Sequence, residues 1–198
     1  MFAGHGSGST LRRFDTSDFP LANAVLIRIS PQSPFLRSKA PLMLIEIERK
    51  FLVAEPAWQN LYTSRERLRD GLIAATEGLK VRVRLYENRA TLAVKTKQVG
   101  FTRAEYEYEI PMDEGEQLLA LHCGNTKLVK TRYYVPYRGF TWEVDVYEEI
   151  LSGVILAEVE LSRADVDLPL PPWIGREVTG EPEYKKINML KARLAPTA

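Results

Sequence analysis

The 198-residue chain is 45% hydrophobic and 27% charged and carries a formal net charge of +1, which is typical of an ordinary soluble globular protein. The balanced charge excludes general attraction to polyanions, so any anion site requires a local arrangement of bases. The single cysteine, Cys123, and the two histidines, His5 and His122, exclude an intrachain disulfide and a cysteine metal cluster and make a His-based zinc site improbable. A metal would need carboxylate ligands, which favours Mg²⁺ or Mn²⁺.

The first 42 residues differ from the rest of the chain. They begin with a Gly- and Ser-rich stretch, carry five Lys/Arg against two Asp, and contain three prolines after Ile29. This composition predicts a disordered extension over 1–42, followed by a folded domain over 43–198; a targeting peptide is the alternative. No apolar run approaches the roughly 18 residues that a membrane span needs. We therefore expect no membrane contact, and the lone cysteine suits the reducing cytoplasm.

From Met43 onward, apolar residues recur with a period of two, which is typical of half-buried strands. The alternating stretches are, in chain order, 41–53, 79–87, 90–97, 102–111, 127–135, 140–148 and 154–162. Short turns join most of them, so the sequence predicts a largely antiparallel sheet. Helices are predicted within 56–68, 112–123 and 183–195, and an irregular crossing in the proline-rich stretch 165–175.

The polar faces of these strands carry pairs of like charges. Residues i and i+2 share one face and lie about 7 Å apart, so their charges repel unless something neutralises them. Paired carboxylates suit a divalent cation, and paired bases suit phosphate oxygens. For any one strand a solvated face is the ordinary alternative, but the pattern recurs in Glu46/Glu48, Arg82/Arg84, Lys95/Lys97, Glu105/Glu107, Lys130/Arg132 and Glu158/Glu160.

The recurrence predicts an α+β, mainly β fold: an antiparallel sheet that closes into a β-barrel with its charged face inward. Helices would cover the apolar outer face, which should include Trp142. The interior would be a wet, charged tunnel, with acids and metal on one side and bases on the other. A linear phosphate chain fits such a tunnel.

The motif Glu46-x-Glu48-x-Lys50 resembles the ExExK signature of the CYTH family, the triphosphate tunnel metalloenzymes. The resemblance extends over residues 43–190 and includes EIERKFLV, VRVRL, AVKTK, RAEYEYEIP, KTRYYV, WEVDVY, AEVEL and PPWIGREVT in the family's order. It implies an eight-stranded antiparallel tunnel that binds triphosphate compounds with Mg²⁺ or Mn²⁺. Within the family, the chain is similar to bacterial members of the inorganic triphosphatase type.

The resemblance also implies roles for individual residues. The implied metal ligands are Glu46, Glu48, Glu105, Glu107, Glu158 and Glu160. The implied phosphate contacts are Lys50, Arg82, Arg84, Lys95, Lys130, Arg132 and Lys185, and the implied catalytic residues are Lys50, Arg103 and Asp145. Lys97 and Glu109 are expected near the rim or beyond the centre of the tunnel. Asp70 and Gly71 stand where the family often has Gln-Gly, which predicts a change at one end of the tunnel.

The expected activity is divalent-metal-dependent hydrolysis of a triphosphate, with inorganic tripolyphosphate the expected substrate because the sequence shows no pocket for a base. The alternatives are a class IV type adenylate cyclase, a thiamine-triphosphatase, a polyphosphate- or nucleotide-binding module without turnover, and a scaffold with salt bridges across its lumen. We expect no nucleic acid polymer as partner, and a monomer or homodimer. Cys123 is expected to pack in a core and His122 to lie at a helix surface.

Overall fold

The computed structural model describes residues 44–195, so the extension expected over 1–42 lies outside the described residues. The strands are β1 (Leu44–Val53), β2 (Ser64–Thr76), β3 (Leu79–Leu85), β4 (Ala90–Lys95), β5 (Thr102–Ile110), β6 (Leu128–Tyr137), β7 (Phe140–Tyr147), β8 (Ile155–Glu160) and β9 (Ile174–Glu177). The α-helices are α1 (Met112–His122) and α2 (Lys186–Leu194). Neither helix of this described part has the length and apolar character needed to cross a membrane.

The strands close into a ring. The order around it is β1-β5-β4-β3-β2-β6-β7-β8 and back to β1, and every neighbouring pair is antiparallel. Closure occurs at β1, which pairs with β5 through residues 44–47 and with β8 through residues 48–52. The short β9 pairs with β1 near its end, at Phe51 and Val53. The predicted eight-stranded antiparallel closure is confirmed, with β9 as an additional strand.

The prediction for residues 56–68 was wrong. Only Pro56–Asn60 is helical, as a short 3₁₀ helix, and β2 starts at Ser64. The alternation was hidden because both faces of β2 carry polar residues: Arg65 and Arg67 are exposed, while Asp70 is buried. The irregular crossing expected over 165–175 gives way to β9 at Ile174.

The hydrophobic core lies mainly outside the ring. Trp142 is fully buried on the outer face, as predicted, with its ring 5.3 Å from that of Phe51 and 5.9 Å from that of Trp173. On another part of the outer face, α1 packs Leu119 against Val83 of β3. Burying this apolar surface outside the strands leaves the inner face free for charged residues. Two expectations for the end of α1 are met: Cys123 is buried in this core, and His122 is exposed.

The interior also has an apolar part, which the prediction of a charged tunnel did not include. Leu128 and Leu156 precede Lys130 and Glu158 by two positions, so they share the inner face of their strands. They pack in one cluster with Leu190 of α2. The C-terminal helix therefore lies against an apolar section of the ring, and the charged section begins beyond it.

Candidate phosphate and metal site

A cavity of about 610 Å³ has walls formed by the inner faces of the strands and by the segment that enters α2. The predicted site residues that line it are Glu46, Glu48, Lys50, Arg82, Arg84, Lys95, Arg103, Glu105, Glu107, Arg132, Glu158, Glu160 and Lys185. The fold thus brings together side chains from strands far apart in sequence. Lys97 and Glu109 do not line this cavity.

Two predicted site residues lie behind the wall. Lys130 and Asp145 are fully buried and form an ion pair with each other, and neither lines the cavity. Arg132 does line it and donates hydrogen bonds of 2.7 and 2.9 Å to the two oxygens of Asp145. Burial raises the pKa of Asp145, but Arg132 and Lys130 outweigh this and lower it to about 2. In this structure Lys130 contacts Asp145, and Asp145 holds Arg132 in place. The phosphate contact of Lys130 and the catalytic role of Asp145 stay predictions.

On the first strand, acids and bases interlock. Arg103 donates a hydrogen bond of 3.0 Å to Glu46, and its guanidinium is 3.7 Å from Glu48. The Lys95 ammonium is 3.3 Å from Glu46. The Lys50 ammonium is 2.8 Å from Glu158, its register partner on β8. Burial disfavours the charge of Lys50, but the two nearby carboxylates raise its pKa above the ordinary value.

Arg84 is held by Asp70, a residue to which no site role was assigned. Arg84 donates hydrogen bonds of 2.6 and 3.1 Å to the two Asp70 oxygens, and Asp70 is only 3% exposed. Lys186 of α2 lies 3.8 Å from the same carboxylate. Burial opposes ionisation of Asp70, but the charges of Arg84 and Lys186 hold its pKa well below the usual range. The departure from Gln-Gly noted in the sequence therefore falls in the cavity wall, beside α2.

Carboxylates converge at one part of the cavity. Glu48 and Glu160 face each other in the β1–β8 register. Burial raises the pKa of Glu160, and the nearby charges of Glu46, Glu48 and Glu105 raise it further. This unrelieved repulsion is what a divalent cation would remove, and an all-carboxylate set suits Mg²⁺ or Mn²⁺.

The same carboxylates are not yet arranged around a metal. No three His, Cys, Asp or Glu side chains of residues 44–195 lie in positions that could hold one. The reason is visible in the ion pairs, because Glu46 is paired with Arg103 and Lys95, and Glu158 with Lys50 and Arg132. The donor chemistry fits a hard cation, and the ion pairs must rearrange before these carboxylates can bind one.

Among the charged residues of the cavity wall to which the sequence assigned no role, Glu143 and Lys80 lie on predicted strands. Glu143 forms an ion pair with Arg132 and faces Glu158 in the β7–β8 register. Burial raises the pKa of Glu143; Arg132 lowers it, Glu158 raises it, and the result is about 7. Lys80 lines the cavity from the start of β3. Glu143 stands two residues before Asp145, and Lys80 stands two residues before Arg82. The alternation with a period of two could therefore have identified both.

Comparison with known proteins identifies the family. The sequence profile of the CYTH domain family matches residues 44–191. The chain therefore belongs to the CYTH family, as the ordered motifs predicted.

Three relatives illustrate the likeness. The chain is 40% identical over 146 residues to a protein of Acetivibrio thermocellus named inorganic triphosphatase, covering 74% of this chain and 93% of the relative. It is 35% identical over 146 residues to a protein of the same name from Nitrosomonas europaea, covering 72% and 94%. A crystal structure of an inorganic triphosphatase is similar with a TM-score of 0.53 and 31% identity, covering 75% of this chain and 95% of the other.

The buried Asp70–Arg84 pair leads to a stability prediction. Replacing Asp70 with Ala leaves a buried guanidinium without its partner, so the free energy of unfolding should fall by about 3–5 kcal/mol. The matched control is Glu116→Ala, which breaks the exposed pair with neighbouring Arg69 and should cost less than about 1 kcal/mol. Urea denaturation of both variants measures the difference, and equal losses would show that Asp70 does not carry the ion pair.

The repulsion around Glu160 leads to a prediction with and without metal. Because the folded state raises the pKa of Glu160, removing its charge should stabilise the metal-free protein at neutral pH. We expect Glu160→Gln to have a higher Tm than the wild type in EDTA. Adding Mg²⁺ or Mn²⁺ should raise the Tm of this variant by less than it raises the Tm of the wild type. Glu87→Gln, at an exposed turn position, is the control. A lower Tm for Glu160→Gln in EDTA would contradict the proposed repulsion.

Proposed function

We propose that this chain is a triphosphatase that hydrolyses inorganic tripolyphosphate inside the ring, with a divalent cation as cofactor. The observation that carries the proposal is the cavity wall, where Arg82, Arg84 and Arg132 lie opposite or beside carboxylates. Membership of the CYTH family supports the use of a divalent metal. The relatives at 40% and 35% identity, both named inorganic triphosphatase, support the reaction.

The bases of the wall supply the binding chemistry. A triphosphate at neutral pH carries several negative charges, which oppose attack by water. Fixed Arg and Lys side chains neutralise the phosphate oxygens without having to reorganise when charge develops in the transition state. Arg84 and Arg132 are each fixed by two hydrogen bonds to a buried aspartate, so their orientation is defined. Arg132 also contacts Glu143 and Glu158, and phosphate oxygens would have to replace these carboxylates as its partners.

The carboxylates supply the metal site. Glu46, Glu48, Glu105 and Glu160 would hold the cation, and Glu107 and Glu158 remain candidates from the sequence. A divalent cation bound there polarises phosphoryl oxygens and lowers the pKa of a bound water. Phosphate oxygens can replace Glu46 and Glu105 as partners of Lys95, which would free both carboxylates for metal. In the free protein, these ion pairs neutralise Lys95 and the carboxylates of Glu46 and Glu105.

The lining of the cavity supports an inorganic substrate. Trp142 and Trp173 are fully buried in the outer core and cannot stack on a base in the cavity. Tyr86 lines the cavity, but the guanidinium of Arg89 already covers its ring at 3.5 Å. Tyr134 and Tyr184 also line the cavity, but the Tyr134 hydroxyl contacts Glu66, and the guanidinium of Arg176 lies 5.7 Å from the Tyr184 ring. A chain of phosphates would need only the charged residues of the wall.

Phosphate release from tripolyphosphate, with Mg²⁺, Mn²⁺ or EDTA, tests the proposal. We expect metal-dependent release that exceeds release from ATP and thiamine triphosphate. Glu48→Gln removes a proposed metal ligand and should lower the activity by about 10–100-fold or more. Glu87→Gln removes an exposed carboxylate that does not line the cavity, so it should retain wild-type activity.

Other outcomes assign other functions. Formation of cyclic AMP and diphosphate from ATP would indicate an adenylate cyclase, and fastest turnover of thiamine triphosphate a thiamine-triphosphatase. Tight binding of tripolyphosphate by the folded, metal-supplied protein without any turnover would indicate a binding module. The cytoplasmic location, the monomeric or homodimeric state, the absence of nucleic acid and membrane partners, and the domain boundary at residue 43 stay predictions.

A further inference from the structure

Lys80 is a base of the cavity wall that the family resemblance did not assign. It stands at the start of β3 and lines the cavity with a partly buried side chain. Arg82 and Arg84 follow at two-residue intervals on the same face. Lys80 therefore continues the line of bases on β3 by one position.

The neighbouring bases of β3 and β4 have acidic partners, but Lys80 does not. Arg82 lies 3.4 Å from Glu105, Lys95 lies 3.3 Å from Glu46, and Arg84 is held by Asp70. Lys95 faces Lys80 directly in the β3–β4 register. Within residues 44–195, the side chain of Lys80 forms no ion pair and donates no hydrogen bond.

The surroundings of Lys80 are positive. Burial lowers its pKa, and the charges of Arg103, Lys185, Lys50 and Lys186 lower it further. Lys185 also lines the cavity and forms no ion pair with another described residue. A partly buried ammonium group surrounded by other cations is unfavourable in the free protein, and an anion among them would reverse this.

A second atom nearby also lacks a partner. The Nε–H of Arg82, two residues from Lys80 on the same face, is buried and has no acceptor. Buried N–H groups in folded proteins are nearly always satisfied by protein, water or ligand. An orphan donor and an unpaired ammonium on one strand face indicate that the cavity wall here is built for negatively charged oxygens.

We propose that Lys80 is a phosphate-binding residue of this site and that the phosphate chain extends to the part of the cavity where Lys185 lies. The proposal rests on the proposed function, because it assumes a phosphate chain as the ligand. Lys80 then contacts substrate directly through its ammonium, while Arg82 offers its free Nε–H beside it.

Calorimetric titration of the full chain with tripolyphosphate in EDTA tests the proposal without turnover. Loss of one charge-assisted contact should raise Kd about tenfold or more in Lys80→Gln. Lys80→Arg keeps the charge and the donors, so its Kd should stay within about threefold of the wild type. Lys191→Gln removes an exposed lysine of α2 that does not line the cavity, and its Kd should not change.

The Tm of each ligand-free variant separates binding from a structural role. Because Lys80 is repelled by its neighbours, Lys80→Gln should keep or raise the ligand-free Tm. An unchanged Kd in Lys80→Gln, with the wild type binding and hydrolysing tripolyphosphate, would overturn the role of Lys80 alone. A weaker Kd accompanied by an equal loss in Lys191→Gln, or by a large fall in Tm, would likewise reject a specific contact. Wild-type protein that binds no tripolyphosphate in EDTA and releases no phosphate from it with Mg²⁺ or Mn²⁺ would overturn both the role of Lys80 and the proposed function.

Discussion

The fold depends on one constraint: charged side chains inside a closed ring of strands must be neutralised. Charges are costly to bury, and apolar residues of similar size would usually stabilise a protein as well or better. The main hydrophobic core lies outside the ring, where Phe51 and Trp142 pack with Trp58, Leu168 and Trp173. Inside, acids and bases from different strands pair across the lumen, as Lys50 does with Glu158. These pairs offset part of the cost of placing charges inside the ring.

The same constraint explains which charges are exceptional. Asp145 and Asp70 are fully compensated, and each fixes an arginine of the wall. The charges of Glu160 and Lys80 are not compensated. Neighbouring carboxylates raise the pKa of Glu160, and neighbouring cations lower the pKa of Lys80. These two opposite imbalances lie in one cavity. They correspond to the two components that the proposed reaction requires, a divalent cation and a phosphate chain.

The sequence predicted most of the ring because alternation in β3 to β8 is regular, and it predicted the family because the motifs keep their order. It did not predict β2, since Arg65, Glu66 and Arg67 place polar groups on both faces and remove the apolar period. Nor could the sequence tell which residues on one face of a strand line the cavity and which lie deeper. Lys130 and Arg132 share the same alternation, yet only Arg132 lines the cavity. Which base meets the ligand is decided by packing across the ring, and one strand's sequence does not contain that.

We propose that a phosphate chain and a metal replace the interior ion pairs when they bind. A crystal structure of the protein with Mn²⁺ and imidotriphosphate, a slowly hydrolysed analogue, tests it most directly, because manganese is located by its anomalous scattering. We expect the phosphate chain inside the ring, in hydrogen-bond contact with Arg84 and Arg132, and manganese beside Glu48 and Glu160. Phosphate and manganese bound only on the outer surface, with the interior ion pairs unchanged, would contradict it.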